Sequence, residues 1–534
     1  MHEILLLCLG LILSVSFLVV LANKLKVAYP IFLVIAGLGI SFVPGIPNVH
    51  IDPDVVFLVI LPPVLFDAAQ NTSWKALWKW RRIVTVMALG YVLLTATAVA
   101  FVSYMLIPGF TLAQGFLLGA IISPPDAAAA TSVLQFTRLP KGMVSILEGE
   151  SLLNDATSLT LFRFALAAII SSNFEWYDAA SGFVFVTLSG IGIGLILGLI
   201  FYAIYRWLPT TSNLDIAFAL VLPYLIYITA EELHSSGVLA VVTGSLFISY
   251  RNHFVLTHTS RLKSNAVWPS IVFIFNAVIF FLIGLQLPEI IGGIKETSLY
   301  DAFRIALIIT GVVILVRMFS GLISSRFTTF ISKYITVAQN RPGWRNPTII
   351  GWVGMRGVVS LASALSIPLM LNNHAFPNRN LILFITFIVI IVTLVCQGLT
   401  LPWVIKLIKP EPVDDDKADD QQILEIELAL LSTAVKEIGA KYEGDLKTND
   451  LLKNKFELLK YKVELYTQSR DDEKKKVAVN KMISRFKHVM TDIIEREREK
   501  LHAFRKKDGY DDDIIWLIEN RLDLEEEGLQ EESE

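Results

Sequence analysis

Ile121-Ile122-Ser123-Pro124-Pro125-Asp126 interrupts an apolar run that extends over residues 112–136. Two adjacent prolines remove two backbone N–H donors and free the carbonyls one turn earlier. At membrane depth such unsatisfied backbone is tolerated only inside protein or beside water. A second run, 347–371, contains Gly351-Trp352-Val353-Gly354-Met355-Arg356-Gly357, where closely spaced glycines weaken the helix. Pro124, Pro125, Gly354 and Gly357 are therefore the expected helix breaks. Ordinary kinks are the simpler reading of either one. Their separation by seven apolar segments, which reverses orientation, and the charges beside them favour an inverted pair of broken crossing helices. Such a pair is the sequence pointer to a binding site in a membrane transporter.

The rest of the chain fits that frame. It has 534 residues, 54% of them hydrophobic, and a mean hydropathy of +0.58. Its charge is divided unevenly. Residues 1–410 hold 24 basic and 16 acidic side chains, and residues 411–534 hold 22 and 33. The first part is net +8 and the second net −11, which implies two domains in different solvents. A spanning helix needs about 20 mostly apolar residues. Thirteen segments are candidates: 3–22, 29–43, 54–70, 83–107, 112–136, 143–171, 180–205, 214–232, 236–250, 267–287, 301–323, 347–371 and 381–408, of which the second and ninth are short and read as tilted, re-entrant or buried by neighbours. Alternate loops, starting after the first segment, carry nearly all the basic residues, from Lys24 and Lys26 through Lys75, Lys79, Arg81 and Arg82 to Arg341 and Arg345. The opposite loops carry only Lys295 and Arg379. The positive-inside rule then puts the N-terminus outside and the tail in the cytoplasm. The N-terminal run lacks a basic leader and reads as the first span rather than a signal peptide. Cys8 and Cys396 lie in apolar runs and suggest neither a disulfide nor a metal site.

Ionisable residues inside the spans are few, and each is costly, so each is expected to have a partner or a function. The densest group is Glu148-Gly149-Glu150-Ser151-Leu152-Leu153-Asn154-Asp155. Ser151 and Asp155 lie one turn apart along one side of a helix. A carboxyl in a low-dielectric surround favours its neutral form. Asp155 can thus hold a proton or a cation, but not both, and that competition couples two fluxes. Asp155, with Ser151, is the candidate site for a hard alkali cation, an ion that wants oxygen ligands. Asn154 is expected to donate a hydrogen bond to neighbouring backbone or to Asp126. Asp67, after Pro62-Pro63-Val64-Leu65-Phe66, either lines the ion path or sits at the interface. Arg356 needs a buried anion, and Glu150 is its expected partner in a structural ion pair. Glu231, Glu232 and His234 read as solvated, and Arg163, beyond Asp155, has no assigned partner. A channel would need a continuous lined pore. An intramembrane enzyme would need a nucleophile–base pair or metal cluster, which the sparse histidines do not supply.

Gly149-Glu150-Ser151-Leu152-Leu153-Asn154-Asp155-Ala156 resembles the signature of sodium/proton exchangers in the cation:proton antiporter superfamily. Leu61 to Ala68, Gly354 to Ser360 and Cys396 to Thr400 are similar to further motifs of that family, in order along 1–410. The resemblance implies an all-α polytopic fold of about thirteen spans in two inverted six-helix repeats. It implies a cell-membrane homodimer whose core moves against a dimerisation domain by alternating access. It also implies Asp155 as the exchanged carboxylate, the Glu150–Arg356 pair, and ion-path roles for Asp126, Ser151, Asn154 and Asp67. The Asn-Asp form implies electroneutral exchange of Na+, or of Li+ or K+, for H+ in pH and sodium homeostasis. One departure bears on ion choice: the family's Thr-Asp-Pro is here Pro125-Asp126-Ala127.

The tail, 411–534, has no spanning run. Leu424, Leu428 and Leu431 recur at helical spacing, and the acidic end, including Glu525–Glu527 and Glu531–Glu534, reads as disordered. The tail shows no Gly-rich phosphate loop, nucleotide fingerprint or paired Cys/His metal spacing. No cofactor is expected. The expected partners are lipid, a second copy and the monovalent cation, with no nucleic acid.

Overall fold

The computed structural model describes residues 2–44, 52–135, 137, 139–171, 176–294, 298–334, 343–371, 374–411, 419–470, 473–505 and 511–531. Arg138, Lys295, Arg341 and the end 532–534 lie outside the described residues. The chain forms two compact units, 1–414 and 415–534.

The first unit is helical apart from a two-stranded ribbon pairing Met370–Leu371 with His374–Ala375. Among the described residues, seven helices are long and apolar enough to cross a membrane. They are Trp74–Leu106, Lys141–Ser171, Ala180–Trp207, Ser212–Glu232, His258–Gly292, Leu299–Phe330 and Arg379–Ile408. Five shorter apolar helices, Leu9–Leu25, Tyr29–Ser41, Val55–Asn71, Leu112–Ile122 and Gly237–Arg251, stand among them. Close packing depends on small residues: a Cβ on Gly119 would sit 2.5 Å from the carbonyl oxygen of Ala96 on the neighbouring helix.

One boundary differs from the sequence reading. Lys75, Lys79, Arg81 and Arg82, expected in a loop, occupy a helix from Trp74 that runs into the apolar segment. Ser73 explains the early start, because its hydroxyl accepts from the Ala76 N–H at 3.3 Å and caps the first turn.

Two hydrophobic cores organise the unit. One gathers Ile31, Leu117, Ile121, Phe280 and Phe387. The other gathers Leu65, Phe66, Leu152, Ile226 and Trp268. The helix Lys141–Ser171 contributes to both, with Ile146 in the first and Leu152 in the second.

The second unit consists of the helices Asp419–Lys441, Glu443–Thr448, Asp450–Arg470, Glu473–Arg505 and Asp512–Glu531. Phe456, Ile494, Ile515 and Leu522 are buried within it. Glu525–Glu527, expected to be disordered, instead belong to the last helix. Arg498 holds that helix through Asp523 at 2.5 Å and Glu526 at 2.6 Å. Acidic composition alone argues for disorder, and the buried Ile515 and Leu522 outweigh it.

Candidate functional site

The helix beginning at Leu112 stops at Ile122 and resumes at Ala127. The helix beginning at Arg345 stops at Trp352 and resumes at Val358. The two gaps touch: the Asp126 N–H donates to the Met355 carbonyl at 2.7 Å. Three carbonyls at the first break, those of Ala120, Ile122 and Pro125, take side-chain donors. Ser123 and Ser158 donate to the Ala120 carbonyl at 3.2 and 2.9 Å. Arg356 Nε donates to the Ile122 carbonyl at 3.0 Å. Asn154 Nδ2 donates to the Pro125 carbonyl at 3.0 Å, so the backbone, not Asp126, receives it.

Asp126 joins the two resuming half-helices. Its Oδ1 accepts from Ala128 and Ala129 N–H at 2.8 and 3.4 Å, and its Oδ2 accepts from Val358 N–H at 3.4 Å. A negative group at two helix N-termini complements both dipoles. Arg356 does the converse at the C-terminal end of Leu112–Ile122. Gly357 lets the two segments of the crossing approach, since a Cβ there would overlap Asp126 Oδ2.

A cavity of about 340 Å³ opens beside this crossing. Asp126, Ser151, Asp155 and Asp67 all line it, together with Pro124, Pro125 and Gly357. It lies between the two cores, bounded by Val56 and Ile60 of one and Leu61 and Leu65 of the other. Asp155 is only 8% exposed. Its carboxyl makes no hydrogen bond or ion pair among the described residues and lies within Coulombic reach of Asp126. Asp67 is held by Asn71 Nδ2 at 3.1 Å. Asn154 is fully buried behind the cavity wall. Among the described residues no three His, Cys, Asp or Glu side chains are grouped as for a transition metal. The available ligands are carboxylate, hydroxyl and carbonyl oxygens, which suit a hard cation.

Glu150 and Arg356 are not brought together as an ion pair. Glu150 is bound instead by Arg317, Nη1 to Oε1 at 2.7 Å and Nη2 to Oε2 at 2.8 Å, with both side chains buried. The helix Leu299–Ile331 presents the flat guanidinium fork to the carboxylate in the two-pronged geometry it fits best. Arg356 takes carbonyls: Ile122, and Gly354 through Nη1, while its own N–H donates to Thr393 Oγ1 at 3.2 Å. Glu231, expected to be solvated, pairs with Arg163 at 2.5 Å and accepts from the Gly237 N–H at 3.2 Å. Sequence reasoning gives no role to Glu148, Asn276 or Ser360, all of which line the cavity. Glu148 is legible, one turn before Ser151 on the same helix face. Ser360, whose buried hydroxyl has no partner among the described residues, carries no such signal.

The chain belongs to the family described as sodium/hydrogen exchanger, transmembrane, which matches residues 10–407. It is 30% identical over 518 residues to an uncharacterized Na+/H+ exchanger of Mycobacterium tuberculosis, covering 95% of this chain and 93% of that one. It is 32% identical over 395 residues to the sodium, potassium, lithium and rubidium/H+ antiporter of Bacillus subtilis, covering 72% and 58%. The sodium proton antiporter MjNhaP1 from Methanocaldococcus jannaschii shares its fold, with a TM-score of 0.60 at 18% identity over 76% of this chain and 99% of that one. The protein is thus a multi-pass membrane antiporter of monovalent cations and protons, a transporter and not an enzyme.

Proposed function

We propose that the protein exchanges Na+ for H+ one for one, by alternating access, and that Asp155 is the group the two ions share. The observation that carries this reading is the Asp155 carboxyl, nearly buried, without a partner among the described residues and facing a cavity that Asp126 and Ser151 also line. Two carboxylates within Coulombic reach of each other, one of them nearly buried, favour a proton or a cation between them. A Na+ at Asp155, Ser151 and Asp126 satisfies that need, and a proton on Asp155 satisfies it equally. Asp67 lies on the approach. Asn154 fixes the first break and contributes no charge, which fits electroneutral exchange. The cavity's position between two separately packed cores suits a core that moves against its neighbour.

The same reading takes the membrane unit, 1–410, as thirteen spans in two inverted repeats, with the N-terminus outside and the 411–534 tail cytoplasmic in the cell membrane. It takes the protein as a homodimer; the apolar helix Ala180–Trp207 is the least buried of the seven long ones. pH and sodium homeostasis is the physiological role. A second reading, with K+ or Li+ accepted alongside Na+ or K+ preferred, is favoured by Pro125-Asp126-Ala127, where a hydroxyl ligand is missing. The broad ion range in the name of the Bacillus subtilis relative agrees with it.

The test is cation-driven proton flux in proteoliposomes. Wild type dissipates a proton gradient on addition of Na+, and Asp155→Asn does not. Unchanged exchange in that variant would remove Asp155 as the carrier. An imposed voltage leaves the wild-type rate unaltered if exchange is one for one. Parallel runs with K+ and Li+ rank the ions.

A further inference from the structure

A row of stacked side chains runs across the start of the helix Trp74–Thr85 and the end of the helix Gly237–Val255. The Arg81 guanidinium lies 4.5 Å from the centre of the Trp78 ring, and its Nη1 donates to the Trp78 carbonyl at 2.5 Å. Trp78 stacks on Trp74 at 6.1 Å, with their planes 21° apart. Trp74 meets Tyr250 at 6.5 Å. Arg251 lies over Tyr250 at 5.7 Å. The order is cation, three rings, cation. Ser249 Oγ ties the second of these helices to Val55–Asn71, the helix just before Trp74, by donating to the Gln70 carbonyl at 2.8 Å.

Three features make this more than a coat of surface charge. The rings are exposed, Trp74 by 45%, Trp78 by 58% and Tyr250 by 59%, although large aromatics normally bury their faces. Arg81, Arg251 and the adjacent Lys75 have no carboxylate partner among the described residues. Further along the same helix the exposed positions turn apolar at Val86, Leu93 and Leu94. The row therefore sits where a membrane helix passes from charged to lipid-facing, the level of the headgroups.

We propose that this row is a binding site for an anionic phospholipid, with the phosphodiester held by Arg81, Arg251 and Lys75 and the glycerol and upper acyl chain laid on the rings. Charge complementarity selects an anionic headgroup over a zwitterionic one. The exposed aromatic faces select a lipid over a free anion, because inorganic phosphate has no apolar part to cover them. The site adjoins the ion cavity: Asn71 and Thr72 line the cavity, and the chain reaches Trp74 two residues later. The proposal does not depend on Asp155 or on which cation is carried.

The test counts lipids that stay on the full-length protein in detergent by native mass spectrometry, titrating phosphatidylglycerol against phosphatidylcholine. Wild type retains phosphatidylglycerol in preference. Arg81→Gln with Arg251→Gln loses the preference, its midpoint rising about thirtyfold on the usual contribution of a basic residue at an anionic surface. In vesicles rich in phosphatidylglycerol the double variant keeps the wild-type maximal exchange rate, which excludes misfolding. Equal retention of the two lipids by wild type, or undiminished preference in the double variant, overturns the proposal. So does displacement of the lipid by inorganic phosphate, which would make the site one for a free anion. An exchange defect in the double variant that is the same at every lipid composition also overturns it, and would assign the cations to an acidic protein segment.

Discussion

Glu150 and Asp155 stand five residues apart on one helix, about 140° around its axis, and the protein treats them in opposite ways. Glu150 is gripped on both oxygens by Arg317 in a dry core. Asp155 faces a cavity with no partner among the described residues. A carboxylate whose charge is fully matched has nothing left to offer a passing ion, so Glu150 holds helices together. A carboxyl without a partner has to be neutralised by something mobile. Burial is common to both residues, and the difference between them is whether the fold supplies the counter-charge.

The largest expected effect breaks the comparison at its functional side. Asp155→Asn abolishes cation-coupled proton flux while leaving thermal stability in detergent near wild type, because no partner loses its bond. On the Glu150 side the pattern reverses. Arg317→Ala leaves a buried carboxylate unmatched and costs about 3–5 kcal/mol, read as a fall in folded yield and melting temperature. The joint replacement Glu150→Leu with Arg317→Met removes both charges and restores most of that stability. Exchange by the restored double variant would show the pair to be structural, and its absence would give Glu150 a part in transport.

Gly357→Ala is the next test. Its methyl group cannot fit beside Asp126 Oδ2 without separating the two breaks, so transport falls even though no charge changes. Normal exchange in that variant would mean that the contact between the breaks is dispensable. The smallest effect is expected at Asn154. Asn154→Ala leaves the buried Pro125 carbonyl unpaired, at a cost of about 1–3 kcal/mol. The predicted readout is a lower melting temperature with voltage-insensitive exchange retained. Appearance of voltage dependence would show that Asn154 governs stoichiometry directly.

Much of the fold is legible in the order of residues. Apolar runs locate the helices, because the cost of exposing backbone in lipid makes long apolar stretches helical. The prolines and glycines locate both breaks, and the spacing of Ser151 and Asp155 puts them on one wall. The tail misleads at Glu525–Glu527, where composition outvotes a buried Leu522 three residues earlier. The start at Trp74 is missed because a hydrophobicity count passes over an amphipathic first turn capped by Ser73.

What the sequence determined by itself was therefore local: where helices run, where they fail, and which residue at the failure is an acid. Tertiary structure decided the pairings. Arg317 and Arg356 are both cations within apolar segments, and nothing in their neighbourhoods says which meets Glu150. Helix packing answers it, across 167 residues of sequence. The break explains the other half: the Asp126 N–H that would close the turn on the Ile122 carbonyl donates to Met355 instead, which leaves that carbonyl to Arg356 and Glu150 to Arg317. The same packing brings Asp126 onto two helix ends at once and leaves Asp155 as the carboxyl the fold does not neutralise.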